Sequence, residues 1–248
     1  MRARHLLLTL LLALTLPAQA ARVQVAVAAN VALAMQEIAR GFARATGHEA
    51  VLVPGSTGKF YAQVRNGAPF EVLLAADQET PARLESEGLA VRGTRVTYAT
   101  GRLVLWSARE GVVDAEGAVL RAPPKGPLAV ADPRVAPYGA AARQALERLG
   151  MLTAWQPHLV QGESVGQAFQ FVASGNAALG FVALSQVMEG GRIARGSAWL
   201  VPAHLHQPLR QDAVVLRAGQ ANPAAAALLQ YLRSDAARAV LRGHGYED

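Results

Sequence analysis

Apolar and polar positions alternate with period two over Val23-Gln24-Val25-Ala26-Val27, which predicts a strand. Beyond Asn30 the period changes: Val31, Met35, Ile38 and Phe42 recur at helical spacing up to Gly47, a residue suited to ending a helix. A second strand over Val51 to Val53 leads through Gly55-Ser56-Thr57-Gly58 into another helix. Val72 to Ala75 reads as a buried strand, and Asp77 is placed to cap a helix running through Leu84. Strands alternating with helices in this way predict an α/β fold with a largely parallel sheet.

The pattern then repeats with different spacing. Leu103-Val104-Leu105-Trp106 and Leu128-Ala129-Val130 read as strands, and Ala140 to Leu149 as a helix stopped by Gly150. Ser164 opens a helix to about Ser174, with Gly175 beyond it, and Leu179 to Val182 is a further strand. A strand over Ala213 to Leu216 precedes helices over Pro223 to Arg233 and Asp235 to Arg242. We read two lobes, one from residues 21–100 and 212–248 and the other from 101–211. The chain crosses near Ala99 to Arg102 and returns near Gln207 to Asp212. Periodicity does not require the return, and a single doubly wound domain is the alternative.

The start of the chain belongs to neither lobe. Arg2 and Arg4 precede an apolar run from Leu6 to Leu16, and Ala18-Gln19-Ala20 supplies the small-x-small pattern of a cleavage site. This is a secretory signal peptide, too short for a membrane span, with cleavage near Ala20. No Cys follows it, which excludes a lipid-anchored lipoprotein and, with no Cys anywhere, thiol catalysis and disulfide scaffolds. The remaining chain, with 52% hydrophobic residues overall, has ample material for a core. Taking Arg2 and Arg4 from the formal charge of +6 leaves +4, carried mostly by single Arg residues. No basic stripe with interleaved aromatics is present, which argues against a nucleic-acid partner.

Four strand-to-helix junctions share one chemical character: Ala29-Asn30, Ser56-Thr57-Gly58, Tyr138-Gly139 and Ser164-Val165-Gly166. The first turn of a helix leaves backbone N–H groups without intrahelical partners and carries partial positive charge. Such ends bind anions, and in open α/β sheets they lie where ligands enter. Asn30, Ser56 or Thr57, and Ser164 are equally ordinary helix caps when taken singly; the functional reading needs all four junctions together.

Other motifs fail on spacing. Gly55-Ser56-Thr57-Gly58-Lys59 is not a Walker loop, because Val53 and Phe60 stand where Gly and Ser or Thr are required. His204-x-His206 has no third metal ligand nearby, and no Gly-x-Ser-x-Gly elbow marks a hydrolase. Trp106, Trp155 and Trp199 read as packing residues, and Asp77 as a cap and not a catalytic acid.

The chain resembles the periplasmic molybdate-binding proteins of ABC importers. The likeness spans nearly all of the mature chain and is carried by motifs in a fixed order. In the first half these are Val25-Ala26-Val27-Ala28-Ala29-Asn30, then Gly55-Ser56-Thr57-Gly58 with Tyr61 to Pro69, and Ala75-Ala76-Asp77. Ala131-Asp132-Pro133, Ala136-Pro137-Tyr138-Gly139, Ser164-Val165-Gly166-Gln167-Ala168 and Leu179-Gly180-Phe181-Val182-Ala183 carry it in the second. The resemblance implies a two-lobed periplasmic binding protein fold of type II, each lobe a mixed sheet flanked by helices, joined by a hinge. It implies a monomer, no enzyme activity and no cofactor. The ligand would be molybdate or tungstate, passed to the membrane permease of an ABC importer, with molybdenum present only inside the oxyanion. Asn30, Thr57, Ser56, Tyr138, Val165 and Ala29 match ligand-contacting positions, with Tyr138 and Val165 acting through backbone N–H. The sequence departs from many members at Asn30, where Ser is common, and at Ala183, where a Tyr hydroxyl is common. Sulfate or phosphate is the alternative ligand, and a secreted α/β hydrolase the alternative class.

Overall fold

The computed structural model describes residues 20–247; the segment read as a signal peptide, residues 1–20, lies outside them except for Ala20. In chain order the first elements are β1 (Arg22–Ala28), α1 (Ala32–Thr46), β2 (Glu49–Gly55), α2 (Thr57–Arg65), β3 (Val72–Leu74), α3 (Glu79–Ser86) and β4 (Val96–Gly101). There follow β5 (Leu103–Ser107), β6 (Leu128–Ala131), α4 (Pro137–Arg148), α5 (Leu152–Trp155), β7 (Leu159–Gly162), α6 (Val165–Ala173) and β8 (Leu179–Ala183). The chain continues through a small hairpin of β9 (Met188–Glu189) and β10 (Arg192–Ile193) to β11 (Ser197–Leu200), β12 (Leu209–Val215), α7 (Pro223–Leu232) and α8 (Asp235–Gly243).

Two mixed five-stranded sheets result, ordered β2-β1-β3-β12-β4 and β11-β5-β8-β6-β7. In the first, β1 runs parallel to β2 and β3, while β12 is antiparallel to β3 and β4. In the second, β6 runs parallel to β7 and β8, while β5 is antiparallel to β8 and β11. The backbone passes from one sheet to the other between β4 and β5, and returns between β11 and β12. The return strand is therefore built into the first sheet, with a register shift at Gln211/Asp212.

Each sheet is covered on both faces, which is why its central strands read as continuous apolar runs. Val25 and Val27 pack with Met35, Ile38 and Phe42 of α1 and with Leu228 and Leu232 of α7. Ala26, Leu73 and Val214, on the opposite face, pack with Phe60 and Leu84. In the second sheet Leu103, Leu105 and Phe181 meet Leu146 and Trp155, while Val104, Trp106 and Val182 meet Ala168 and Val172. All three tryptophans are packing residues, buried to 7% exposure or less. Gly47 closes α1 at φ 75°, a left-handed position that glycine occupies without a side-chain clash.

Two local readings are corrected. Helix α4 begins at Pro137, three residues before Ala140, because proline's fixed φ and missing N–H suit the first helical position. Strands β4, β7 and β11 were not anticipated; each lies at a sheet edge, where one side of the pattern is polar or exposed. Among the described residues no helix is long and apolar enough to cross a membrane.

Candidate functional site

The ends of β1 and β2, the segment after β3 and the starts of α2, α4 and α6 converge on a small cavity of about 10 Å³ between the sheets. Its walls include all six residues singled out by sequence: Ala29, Asn30, Ser56, Thr57, Tyr138 and Val165. Ala28, Gly55, Ala76, Ala136, Pro137 and Ser164 complete the lining. No charged side chain is among them.

The junction residues do not all behave as caps. Ser56 stands at the N-cap of α2 in extended conformation, yet its hydroxyl makes no cap bond and is buried without a partner among the described residues. Thr57 Oγ1 accepts from Ala76 N–H at 2.9 Å, which leaves the hydroxyl proton to be donated elsewhere. Ser164 is a genuine cap, accepting from Gln167 N–H at 3.3 Å. Val165 follows it as the first residue of α6, and Tyr138 is the second residue of α4. Both N–H groups therefore lie in first turns, where the helix itself supplies no acceptor.

Asn30 is not a cap either. It sits in a short 3₁₀ turn over Ala29–Val31 ahead of α1, and its amide is turned into a buried polar cluster. Asn30 Nδ2 donates to Gln211 Oε1 at 2.8 Å and to the Tyr246 hydroxyl at 2.9 Å, while Oδ1 is buried and has no partner among the described residues. Gln211 Oε1 also accepts from the Tyr98 hydroxyl at 2.9 Å, and Gln211 Nε2 donates to the Tyr138 hydroxyl at 3.3 Å. Ser185 Oγ donates to the Asn30 carbonyl at 2.7 Å. Burial pushes the phenols of Tyr98 and Tyr138 well above their ordinary range, and that of Tyr246 upward too, so all three stay protonated.

Sequence reasoning missed Gln211, Tyr98, Ser185 and Tyr246. They lie far from Asn30 along the chain: Tyr98 comes from β4, Ser185 from the turn after β8, Gln211 from β12 and Tyr246 from the C-terminal segment. Gln211 is fully buried, yet Arg210 and Asp212 flank it in sequence, so no local pattern marks it as a core residue. Ala183, where a hydroxyl was noted as absent, is fully buried in β8 and does not line the cavity.

The two lobes touch around the cavity. Gly58 N–H donates to Val135 O at 2.8 Å, Lys59 pairs with Glu163, and Ser185 reaches Asn30. Gly166 allows α6 to approach the Ala29 turn so closely that an added Cβ would stand 3.1 Å from Ala29 Cβ. Near the rim Arg134 holds the Asp132 carboxylate below its usual range, and Asp77, one residue before the N-cap Gln78 of α3, accepts from Thr80 N–H at 2.8 Å. Among the described residues no three of His, Cys, Asp and Glu are grouped to hold a metal ion, and His206 Nδ1 lies 2.7 Å from Gln207 O.

Residues 23–247 match the family model of bacterial extracellular solute-binding proteins. The molybdate-binding protein of Azotobacter vinelandii is 55% identical over 229 residues, 92% of this chain and 91% of that protein. Its counterpart from Rhodobacter capsulatus is 46% identical over 248 residues, 99% of this chain and 96% of that protein. Among solved structures, the periplasmic molybdate-binding protein of A. vinelandii superposes with a TM-score of 0.87 at 40% identity, covering 91% of this chain and 99% of that one.

Proposed function

We propose that this chain, which belongs to the bacterial extracellular solute-binding proteins, closes its two lobes over one tetrahedral oxyanion held by Asn30, Ser56, Thr57, Tyr138 and Val165. The ligand is molybdate, as for the relatives at 55% and 46% identity, and the protein is a carrier and not an enzyme. The observation that carries the site is an uncharged buried cavity at three helix starts, with an unpartnered Ser56 hydroxyl in its wall. A dianion there meets partial positive charge and N–H donors without a buried countercharge.

Each hydrogen bond to a charged group contributes about 1.5–3 kcal/mol, so a handful are enough for tight capture after ordering costs. Tyr138 and Val165 donate through backbone N–H, and Ser56 and Thr57 through hydroxyls. Ala29 closes the wall with a small side chain. Tungstate, with the same charge and shape, enters the same site. The ordered return of the chain between β11 and β12 and the crossing between β4 and β5 form the hinge, about which the lobes open. The lobes comprise residues 21–100 with 212–248, and 101–211. The mature protein works as a monomer in the periplasm, after removal of the leader, and hands its ligand to an ABC importer permease.

Calorimetric titration with molybdate, tungstate, sulfate and phosphate tests the reading. Molybdate and tungstate should bind with similar affinity and sulfate more weakly. Sulfate binding tighter than molybdate, or no oxyanion binding, would overturn it.

A further inference from the structure

Asn30 lines the cavity, and its backbone carbonyl is the centre of a second contact between the two sheets. Two hydroxyls converge on that carbonyl. Ser185 donates to it at 2.7 Å and Tyr246 at 2.9 Å, and the two hydroxyl oxygens stand 3.0 Å apart. A carbonyl oxygen has two lone pairs and takes both donations, so the Asn30 side-chain amide plays no part in them. Ser185 lies in the turn Leu184–Gln186 directly after β8 of the second sheet, whereas Tyr246 is packed in the core of the first. All three residues are 5% exposed or less, so these bonds are made away from water.

The tail that carries Tyr246 is fixed to the first sheet and lies against the second lobe. Glu247 exchanges two backbone hydrogen bonds with Thr100 of β4, at 2.8 and 2.9 Å, and its carboxylate pairs with Arg102 at the crossing between β4 and β5. Tyr246 N–H donates to Leu241 O of α8 at 3.1 Å. Gly245 stands at φ 81°, and a Cβ there would lie 2.5 Å from Met188 Sδ and 2.9 Å from Leu184 Cδ2, both in the segment after β8. The Tyr246 hydroxyl is thus held at a fixed height above Asn30 by the first sheet, and Ser185 meets both from the second. Burial keeps the phenol protonated, so it retains the one proton it donates.

We propose that Ser185 and Tyr246 are positioning residues that clasp the closed lobes: Ser185 grips the Asn30 carbonyl and the Tyr246 hydroxyl from the second sheet, holds the Ala29–Val31 turn over the anion and slows its release. This rests on the molybdate reading above and deepens it. Two of the three bonds, Ser185 to Asn30 and Ser185 to Tyr246, join the lobes and break when the lobes part. The bond from Tyr246 to Asn30 stays within the first lobe. Opening hands the freed groups to water, so the net worth of each bond is modest, a factor of about five in an equilibrium, but all of it falls on the closed form. The anion enters before the lobes close, so loss of the clasp shows in release and not in association. Neither Ser185 nor Tyr246 lines the cavity, which separates the clasp from the ligand contacts themselves.

The test loads the mature protein with radiolabelled molybdate and chases it with unlabelled molybdate, which gives the release rate. Calorimetry gives the affinity, and the two together give the association rate. Ser185→Ala and Tyr246→Phe each remove one hydroxyl, and each should speed release about fivefold with association unchanged. Tyr246→Phe should have a smaller effect in the Ser185→Ala background than alone, because the bond the two residues share is already gone. A tyrosine that only stabilised the first sheet would give the same factor in both backgrounds. Wild-type release from either variant, or slower association at unchanged release, overturns the clasp. Equal factors for Tyr246→Phe in the two backgrounds overturn the part of Tyr246 in it. Wild-type protein that binds no molybdate overturns the underlying reading, and the clasp with it. Each single variant decides by itself, so if one failed to fold the other would still expose the clasp to disproof.

Discussion

The N–H of Gly58, in the first turn of α2, donates to the carbonyl of Val135 at 2.8 Å and ties the two lobes together beside the cavity. The same approach leaves no room for a side chain: a Cβ on Gly58 would stand 2.8 Å from Val135 Cα and 3.0 Å from Val135 O. Backbone cannot move aside as a flexible side chain can. Gly58→Ala should therefore hold the lobes slightly apart and weaken molybdate binding by about tenfold or more. It should not weaken the unliganded fold, since Ala is favoured over Gly within a helix by about 0.5–1 kcal/mol. Calorimetry with X-ray scattering checks this: the variant should bind less tightly and contract less on adding molybdate. Wild-type affinity would show that this contact does not limit closure.

How much of this was legible in the sequence follows from the range of each interaction. The periodicity at Val31, Met35, Ile38 and Phe42 and the cap at Ser164 are local signals, and the corresponding helices stand where those signals put them. Strand β7 was missed because Val160 and Gln161 are exposed at a sheet edge and carry no apolar alternation. The cavity wall was legible through its junction motifs, each contained in a few consecutive residues. What surrounds Asn30 was not: Gln211 and Tyr246 are 181 and 216 positions away, and no local pattern links them to it. Ser56 carried a cap's identity and turned out to have a hydroxyl with no cap bond, a distinction only packing can make.

That hydroxyl gives a prediction with two signs. A buried hydroxyl with no partner costs about 1–3 kcal/mol of desolvation. Ser56→Ala should raise the melting temperature of the unliganded protein while lowering its affinity for molybdate about tenfold. Thermal denaturation with and without ligand reads both at once. A variant that loses stability in the unliganded state would show that Ser56 has a structural partner.

Asp212 offers a stability test away from the ligand. Its carboxylate is buried and accepts from Arg95 Nη1 at 2.8 Å, Thr97 Oγ1 at 2.7 Å and Gln78 Nε2 at 3.0 Å. Removing the cation leaves a buried charge with only neutral partners. Because the Arg95 side chain is 37% exposed, the loss is discounted from that of a fully buried pair, to about 1–3 kcal/mol. Urea denaturation of Arg95→Met should show it. Arg22→Met, which breaks an exposed pair with Glu49, should change stability by less than about 1 kcal/mol. Equal effects from the two variants would contradict the burial argument.

The last prediction concerns acid. Burial lowers the pKa of His206 below its ordinary 6.5; the hydrogen bond to Gln207 opposes this, and the nearby Arg102 and Arg148 add to the lowering. The folded state therefore resists a proton that the unfolded chain accepts. The sign follows from linkage: His206 contributes its full stability above about 6.5, and that contribution is lost as pH falls below 6.5 through the folded value. His206 precedes the return strand β12, so the loss is local to the path between the lobes. Melting temperatures measured from pH 8 down to pH 5 should fall less steeply in His206→Gln than in the wild type. Parallel curves would show that protonation of His206 does not drive the acid sensitivity of this fold.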